Sequence, residues 1–338
     1  LLNISKSFYF IVGLVDILQC ILAALRSRKI FDICISLYNT QFYGAYFLQR
    51  IGTVKKNVLF IYDYYIKDKF EIGIKSKLAD VFYRASLKFS VKNADALWLL
   101  SPNMLLSPFL KDIVERRKKP VYSFETAGCV DLGDDFIRVL EENRDLDWKS
   151  NLGFLGNLSP HHGVDLILKV LPEIVRNIPK VKLFLIGSGP EEERLKAIVK
   201  ANNLSDNVFF LGHIPDRGIM YKALADCAVG LAIYNPGSNI INYKYLGPGK
   251  TREYMAVGLP IVITRGAYFA EVIERDKTGF AIDYSADQLL AVLLGFLRDD
   301  HAIEEYRKRM KEFAKKFRYD LVMDKAVKFT VNAWQKKT

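Results

Sequence analysis

Apolar and polar positions alternate along the chain in two series, separated by a stretch rich in acids. In the first series, short apolar runs at Ile33–Leu37, Val58–Tyr62, Ala96–Leu100 and Val121–Phe124 alternate with helical stretches, the pattern of βαβ units around a parallel sheet. The second series is more regular. It predicts strands at Leu152–Leu155, Val181–Ile186, Val208–Leu211, Val229–Ile233, Ile261–Thr264 and Phe280–Ile282, with helices between most of them. In the first of those helices Leu166, Val170, Leu171, Ile174 and Val175 recur at three- and four-residue spacing, so one apolar stripe faces the sheet and the helix packs without taking part in chemistry. The stretch Gly128–Ser150 carries many acids and no clear strand, and reads as a linker. The last segment has its own apolar spacing at Leu321, Val322, Ala326 and Phe329, and is predicted to cross back and brace the first lobe. The predicted organisation is a first lobe over 1–127, a linker over 128–150, a second lobe over 151–318 and a closing helix over 319–338.

Near the start, the run Phe8–Leu25 is apolar but holds Asp16 and Gln19, short of the roughly 20 clean residues a bilayer crossing needs. It reads as a helix of a soluble protein. The other reading, a helix lying against a lipid surface beside Arg26, Arg28 and Lys29, stays open. The chain opens at Leu1 with no initiating methionine, no signal peptide and no opening strand with a glycine turn, so the first lobe reads as missing its start.

A chain of 338 residues is long enough for two lobes, each burying its own core. Its formal net charge of +11 attracts anions: phosphorylated substrates, anionic headgroups or nucleic acid. The basic residues are scattered, with the longest run at Arg116–Lys119, so nucleic acid is not expected as a partner. Cys20, Cys34, Cys129 and Cys227 lie far apart without a CxxC pair, which argues against a zinc site or a disulfide framework and for free thiols in a reducing cytosol.

Ligands of open parallel sheets bind beyond the carboxyl ends of strands, where loops enter helix N-termini. Three loops of the second lobe carry glycine at such places. In GNLSPHHG, Gly156 and Gly163 allow backbone to approach a diphosphate, and His161 or His162 can donate to it. In GSGP, Gly187 and Gly189 stand near an expected nucleoside, and the following glutamates read as capping groups. In LGPGKTREYMAVGLPIVIT, Pro248, Gly249, Lys250 and Thr251 form a turn suited to phosphate, and Glu253 in the first helical turn can accept two ribose hydroxyls. The spacing is not that of a Walker loop, because Lys244 stands five positions before Gly249.

Taken in order, GNLSPHHGVDLIL, VKLFLIGSGPEEERLK, VFFLGHIPD, GKTREYMAVGLPIVIT and TGFAIDY resemble the retaining GT-B glycosyltransferases of family 4, glycosyl transferases group 1, over roughly Asn151–Asp300. FDICISLY, NVLFIYDYY and NADALWLLS resemble that family's acceptor domain without its opening strand. The resemblance implies an α/β fold of two Rossmann-like lobes whose parallel sheets face a cleft. The second lobe would grip a nucleotide-sugar donor as co-substrate and the first a glycan or lipid-linked acceptor, with neither cofactor nor metal. The pair Asp145 and Asp147 reads as a solvated charge cluster, away from any strand end.

By position, Glu253 matches the family's ribose-binding glutamate, and Tyr245 stands where many members have a glutamate that touches the donor sugar. Asn157 and His162 occupy the places of an arginine and a lysine against the diphosphate. Lys250 is the replacement cation, with His162 assisting as an electrophilic pair. Ile214 offers backbone to the base, with His213 completing the turn, and Asp63 after its strand is a candidate for orienting the acceptor hydroxyl. The implied activity is retaining, metal-independent glycosyl transfer in polysaccharide or lipid-linked glycan assembly, in the cytoplasm and peripheral to the inner membrane face. Two rivals stay open: a GT-B sugar-nucleotide epimerase, and a catalytically silent nucleotide-sugar-binding subunit. A dehydrogenase is disfavoured, since no GxGxxG with a following ribose acid opens either lobe.

Overall fold

The computed structural model describes residues 6–62, 74–125, 128, 131–145, 147–237, 242–245 and 249–336. Contacts divide the chain into two compact units, Leu1–Glu125 with Met323–Thr338 and Thr126–Val322. In the first unit α1 (Lys6–Arg26), β1 (Phe31–Ser36), α2 (Phe42–Arg50), β2 (Val54–Ile61), α3 (Ile74–Asn93), β3 (Ala96–Leu99), α4 (Pro108–Glu115) and β4 (Val121–Ser123) alternate around a parallel sheet in the order β1-β2-β3-β4. Consecutive side chains Val58, Leu59, Phe60 and Ile61 are all buried, so both faces of β2 are covered and the strand reads as a continuous apolar run. β2 begins earlier than its apolar run: its ladder with β1 starts at the buried Val54, and the exposed Lys55 pairs with Asp32 of β1 at 2.7 Å.

Trp98, Phe60 and Phe124 pack ring against ring in this core. The buried Trp98 indole N–H donates to Thr330 Oγ1 at 2.8 Å, which ties the end of the chain to β3. At the other end α1 rests on α2, where Ile17 and Ile21 lie against Gly44. Val15, Leu18, Leu22 and Leu25, at three- and four-residue spacing, form a stripe that is 40–56% exposed. Among the described residues no helix is long and apolar enough to cross a membrane.

The second unit runs α5 (Asp134–Glu142), β5 (Leu152–Leu155), α6 (Val164–Asn177), β6 (Leu183–Ile186), α7 (Glu192–Ala201), β7 (Val208–Gly212), α8 (Arg217–Ala225) and β8 (Val229–Ala232). It continues through α9 (Asn242–Tyr245), α10 (Gly249–Ala256), β9 (Ile261–Thr264), α11 (Tyr268–Arg275), β10 (Gly279–Ile282), α12 (Ala286–Leu297), α13 (Asp300–Lys316) and α14 (Tyr319–Gln335), the helix that carries Thr330 into the first unit. The stretch expected as a linker therefore holds a helix, α5, whose Leu140 is buried in the core of this unit. Its acids conceal an amphipathic pattern: Ile137, Leu140 and Glu141 face inward, and Glu141 pairs with Lys311 of α13.

Alternate strand residues feed two cores, one on each face. Leu152, Phe154, Leu183, Leu185, Val229 and Leu231 meet α6 and α12, whereas Ile186, Ala232, Ile261 and Ile263 meet α8, α10, α11 and α13. The expected α6 stripe of Leu166, Val170, Leu171 and Ile174 is buried in the first of these. The expected free thiols Cys20, Cys34 and Cys227 are unpaired, and Cys129 lies outside the described residues.

The six strands are parallel and ordered β10-β9-β8-β5-β6-β7, so the chain builds outward from β5 in one direction, returns, and builds outward from β8 in the other. The order reverses between β5 and β8. Their pairing ends at Phe154 and Leu231, and beyond it the buried Tyr254 hydroxyl of α10 is inserted between the strands. It accepts from Leu155 N–H at 2.9 Å and donates to Leu231 C=O at 3.1 Å. Gly230 makes the insertion possible, because a Cβ there would meet the Tyr254 ring at 2.8 Å. Tyr254→Phe leaves both backbone groups without their partner, and is expected to cost about 1–3 kcal/mol in denaturant unfolding of this unit; an unchanged midpoint would show that the bridge is dispensable.

Candidate active site

The loops that follow β5 and β8 flank this reversal, the place where parallel sheets bind ligands. After β5 the chain turns at Gly156 (φ +144°) and enters α6 through Gly163 (φ +59°), where a Cβ would stand 2.6 Å from Ile233 Cγ2. The loop after β6 is stitched to it: Leu158 N–H donates to Ser188 C=O at 3.1 Å, and Glu191 N–H donates to Leu158 C=O at 3.0 Å. Side chains at Gly187 or Gly189 would collide with that stitch, at 2.0 Å from Gly156 O and 2.3 Å from Leu158 O. Close packing between loops thus accounts for both glycines. The loop after β8 closes on the same segment, Asn235 N–H donating to His161 C=O at 3.0 Å. The glutamates expected at the start of α7 stand there, Glu191 at the N-cap and Glu192 and Glu193 in the first turn; Glu191 makes no cap hydrogen bond and pairs with Arg194, and Glu192 and Glu193 pair with Lys196.

Lys250 stands one turn before Tyr254 on the same helix face, and its side chain reaches Gly156 and the Phe154 ring, where β5 and β8 part. Its Nζ lies 4.2 Å from the centre of the Phe154 ring and 5.2 Å from that of Tyr234, and a Cβ on Gly156 would meet it at 3.2 Å. The ammonium is buried and has no hydrogen-bond partner among the described residues. Aromatic faces stabilise a cation, but they do not replace water, and burial lowers the lysine pKa to about 7.

His162 packs between Phe154 and Tyr234, and its Nδ1 is bonded to the Asn157 carbonyl. A carbonyl only accepts, so Nδ1 carries the proton and Nε2 is left as an acceptor. Burial first, and the Lys250 charge second, lower the His162 pKa to about 3. The imidazole is therefore neutral near pH 7, and the expected electrophilic pair reduces to one cation, Lys250.

Glu253, half-buried on the neighbouring face of α10, is held by two groups of α8 that the sequence patterns did not single out. Arg217 Nη2 donates to both carboxylate oxygens at 3.1 and 3.0 Å, and Tyr221 donates to Oε2 at 2.8 Å. Arg217 also donates to the Tyr221 hydroxyl at 2.7 Å, which closes a ring of three side chains. Burial, and then the contact with Glu253, keep the tyrosine protonated by raising its pKa to about 12, although Arg217 opposes this. The available signal was their spacing: Arg217 and Tyr221 stand four residues apart at the start of a helix capped by Asp216, whose side chain accepts from Ile219 N–H.

Among the other predicted residues, Thr251 is buried behind Lys250, Gly249 opens α10 at the surface, Tyr245 is half-buried in α9, and Asn157 is exposed. Ile214 packs against the α8–α10 core, and His213 is exposed. Pro248 and Asp63 lie outside the described residues. Asp145 is paired with Lys182 and Asp147 with Lys180. Among the described residues no group of three or more His, Cys, Asp or Glu side chains is gathered to hold a metal.

The family model for glycosyl transferases group 1 matches residues 147–317, half of the chain. The chain belongs to the group 1 glycosyltransferases. A GDP-mannose-dependent alpha-(1-6)-phosphatidylinositol monomannoside mannosyltransferase of Mycolicibacterium smegmatis is 27% identical over 150 residues, 43% of this chain and 38% of that protein. The alignment thus spans less than half the length of that curated relative. In solved structures this glycosyltransferase is similar to the sucrose-phosphate synthase of Thermosynechococcus elongatus (TM-score 0.67, 16% identity, 93% of this chain and 77% of that one). It is also similar to HepE of Anabaena in complex with UDP (TM-score 0.62, 14% identity, 94% and 82%). The fold is GT-B, as the sequence motifs led us to expect.

The buried lysine has a measurable consequence for stability. Its folded pKa of about 7 lies below that of an unfolded lysine, 10.5, so between these values the unfolded chain binds more protons. The resulting penalty is largest below pH 7 and fades as pH rises toward 10.5, at roughly 1.4 kcal/mol per pH unit. Lys250→Met is accordingly expected to melt higher than the native chain at pH 6, with the gap narrowing by pH 9. A gap independent of pH would mean that Lys250 keeps its proton in the folded protein.

Proposed function

We propose that this glycosyltransferase moves a sugar from a nucleotide-sugar donor to a lipid-linked or glycan acceptor with retention of anomeric configuration, and that it needs no divalent metal. The observation that carries the reading is the unpartnered Lys250 ammonium at the strand-order reversal. As the bond between sugar and diphosphate breaks, negative charge grows on the leaving diphosphate. A fixed cation, poorly hydrated and unpaired beforehand, stabilises that charge more than it stabilises the intact donor. An approaching diphosphate raises the lysine pKa and draws a proton onto it. Glu253 receives the ribose hydroxyls, and the neutral His162 offers Nε2 to a hydroxyl of the donor sugar. The backbone at Gly156, Asn157, Gly163 and Gly249 lines the diphosphate, and Ile214 meets the base.

The name of the mycobacterial relative carries GDP-mannose and a phosphatidylinositol glycan, and the Anabaena structure holds UDP. The first test is therefore a panel of GDP, UDP and ADP sugars with a lipid-linked acceptor, in the presence of EDTA, with the product anomer read by NMR. Lys250→Ala is expected to lower kcat about 10²–10³-fold, and Glu253→Ala to raise the donor KM. In the native chain kcat/KM is expected to fall as pH rises above about 7, because the unliganded lysine then loses its proton. Turnover that neither substitution alters would overturn the site. Donor binding without turnover would identify a silent binding subunit.

The exposed stripe of α1, with Arg26, Arg28 and Lys29 after it, supports a second element of the proposal: the first unit rests on an anionic lipid surface. Sedimentation with phosphatidylglycerol vesicles is expected to carry down the native chain and to leave Leu18→Asp/Leu22→Asp in solution. Equal sedimentation of the two would remove α1 as the anchor.

A further inference from the structure

The ring formed by Glu253, Arg217 and Tyr221 points to a role for α8 that the motifs of the sequence did not contain. A carboxylate meant to take two vicinal hydroxyls must lie in a fixed plane with both oxygens turned to the ligand, and a glutamate on the open side of a helix otherwise samples several rotamers. Here one Arg217 nitrogen touches both oxygens at nearly equal distance, and the Tyr221 hydroxyl fixes Oε2 from a second direction. The tyrosine is itself held by Arg217, and the arginine side chain remains 57% exposed while that of Glu253 is 26% exposed. Each carboxylate oxygen keeps lone pairs beyond these contacts.

We propose that Arg217 is a positioning residue for the donor ribose: with Tyr221 it holds the Glu253 carboxylate in the orientation that receives the 2′- and 3′-hydroxyls before the nucleotide arrives. This rests on the reading of Glu253 as the ribose ligand. The nucleotide then bears less of the cost of ordering that side chain. Preference for ribose over deoxyribose becomes a property of three side chains on two helices. Arg217 touches the carboxylate and acts through it.

The test is calorimetric binding of UDP and GDP, with 2′-deoxy-UDP and 2′-deoxy-GDP as counterparts, to the native chain and to Arg217→Ala, Arg217→Lys, Tyr221→Phe and Glu253→Ala. Thermal melts check that each variant is folded. Arg217→Ala is expected to weaken binding of the ribonucleotide about tenfold and to shrink the preference for ribose over deoxyribose. Arg217→Lys should recover part of both, Tyr221→Phe should show a smaller loss of the same kind, and Glu253→Ala should erase the preference. A general structural defect would weaken both nucleotides alike and leave the ratio where it was. If Glu253→Ala erases the preference and Arg217→Ala leaves it intact, the positioning role is wrong and the ribose ligand stands. Tighter ribonucleotide binding by Arg217→Ala would make the arginine a competitor for the carboxylate and overturn the proposal. If Glu253→Ala itself leaves the preference unchanged, both readings fall together.

Discussion

The organisation of the second unit depends on one hydroxyl. Where β5 and β8 part, two backbone groups that would otherwise continue the ladder are left without each other, and Tyr254 satisfies both. A buried N–H and C=O without partners are costly, so the tyrosine cannot be moved without loss, and it sits in the last turn of α10. The helix is thereby pinned to the sheet at the point where the strand order reverses. Lys250, one turn earlier, is delivered into the crevice, and Glu253, next to the tyrosine in sequence, is turned toward α8.

These two charged residues share a helical turn and meet opposite electrostatic conditions. Glu253 has an arginine, a tyrosine and partial access to water. Lys250 has two aromatic rings, a glycine and no hydrogen bond. The first arrangement is satisfied in the protein alone. The second is not, and burial of this ammonium lowers its pKa to about 7. Strain of this kind persists in a fold where the surroundings fix it: the Tyr254 bridge sets the helix, and the loop stitch of Leu158, Ser188 and Glu191 sets the wall opposite.

Much of this fold was legible in the chain, because strands buried on both faces read as apolar runs and α6 as a clean stripe. The candidate site was legible in part. Lys250 and Glu253 stood out through their place after a glycine turn, a local signal. Arg217 and Tyr221 did not, because they reach Glu253 across 36 and 32 residues, and no local pattern records a contact made between helices on one face of a sheet. α5 was hidden by its acids, of which the inward-facing Glu141 has its partners, Arg144 and Lys311, outside the helix. The neutrality of His162 was equally out of reach, since it is set by burial and by a lysine 88 positions away.

Asn157 and His162 are where this chain departs from the motifs it resembles. The motif resemblance puts an arginine and a lysine where this chain has Asn157 and His162. His162 packs against Phe154 and Tyr234, the two rings that flank Lys250, so a lysine at that position would set a second cation beside the buried ammonium. At such distances like charges in a poorly solvated site repel by several kcal/mol. Asparagine carries no charge, and histidine gives its charge up. With His162 neutral, the positive charge of this segment rests on Lys250 alone.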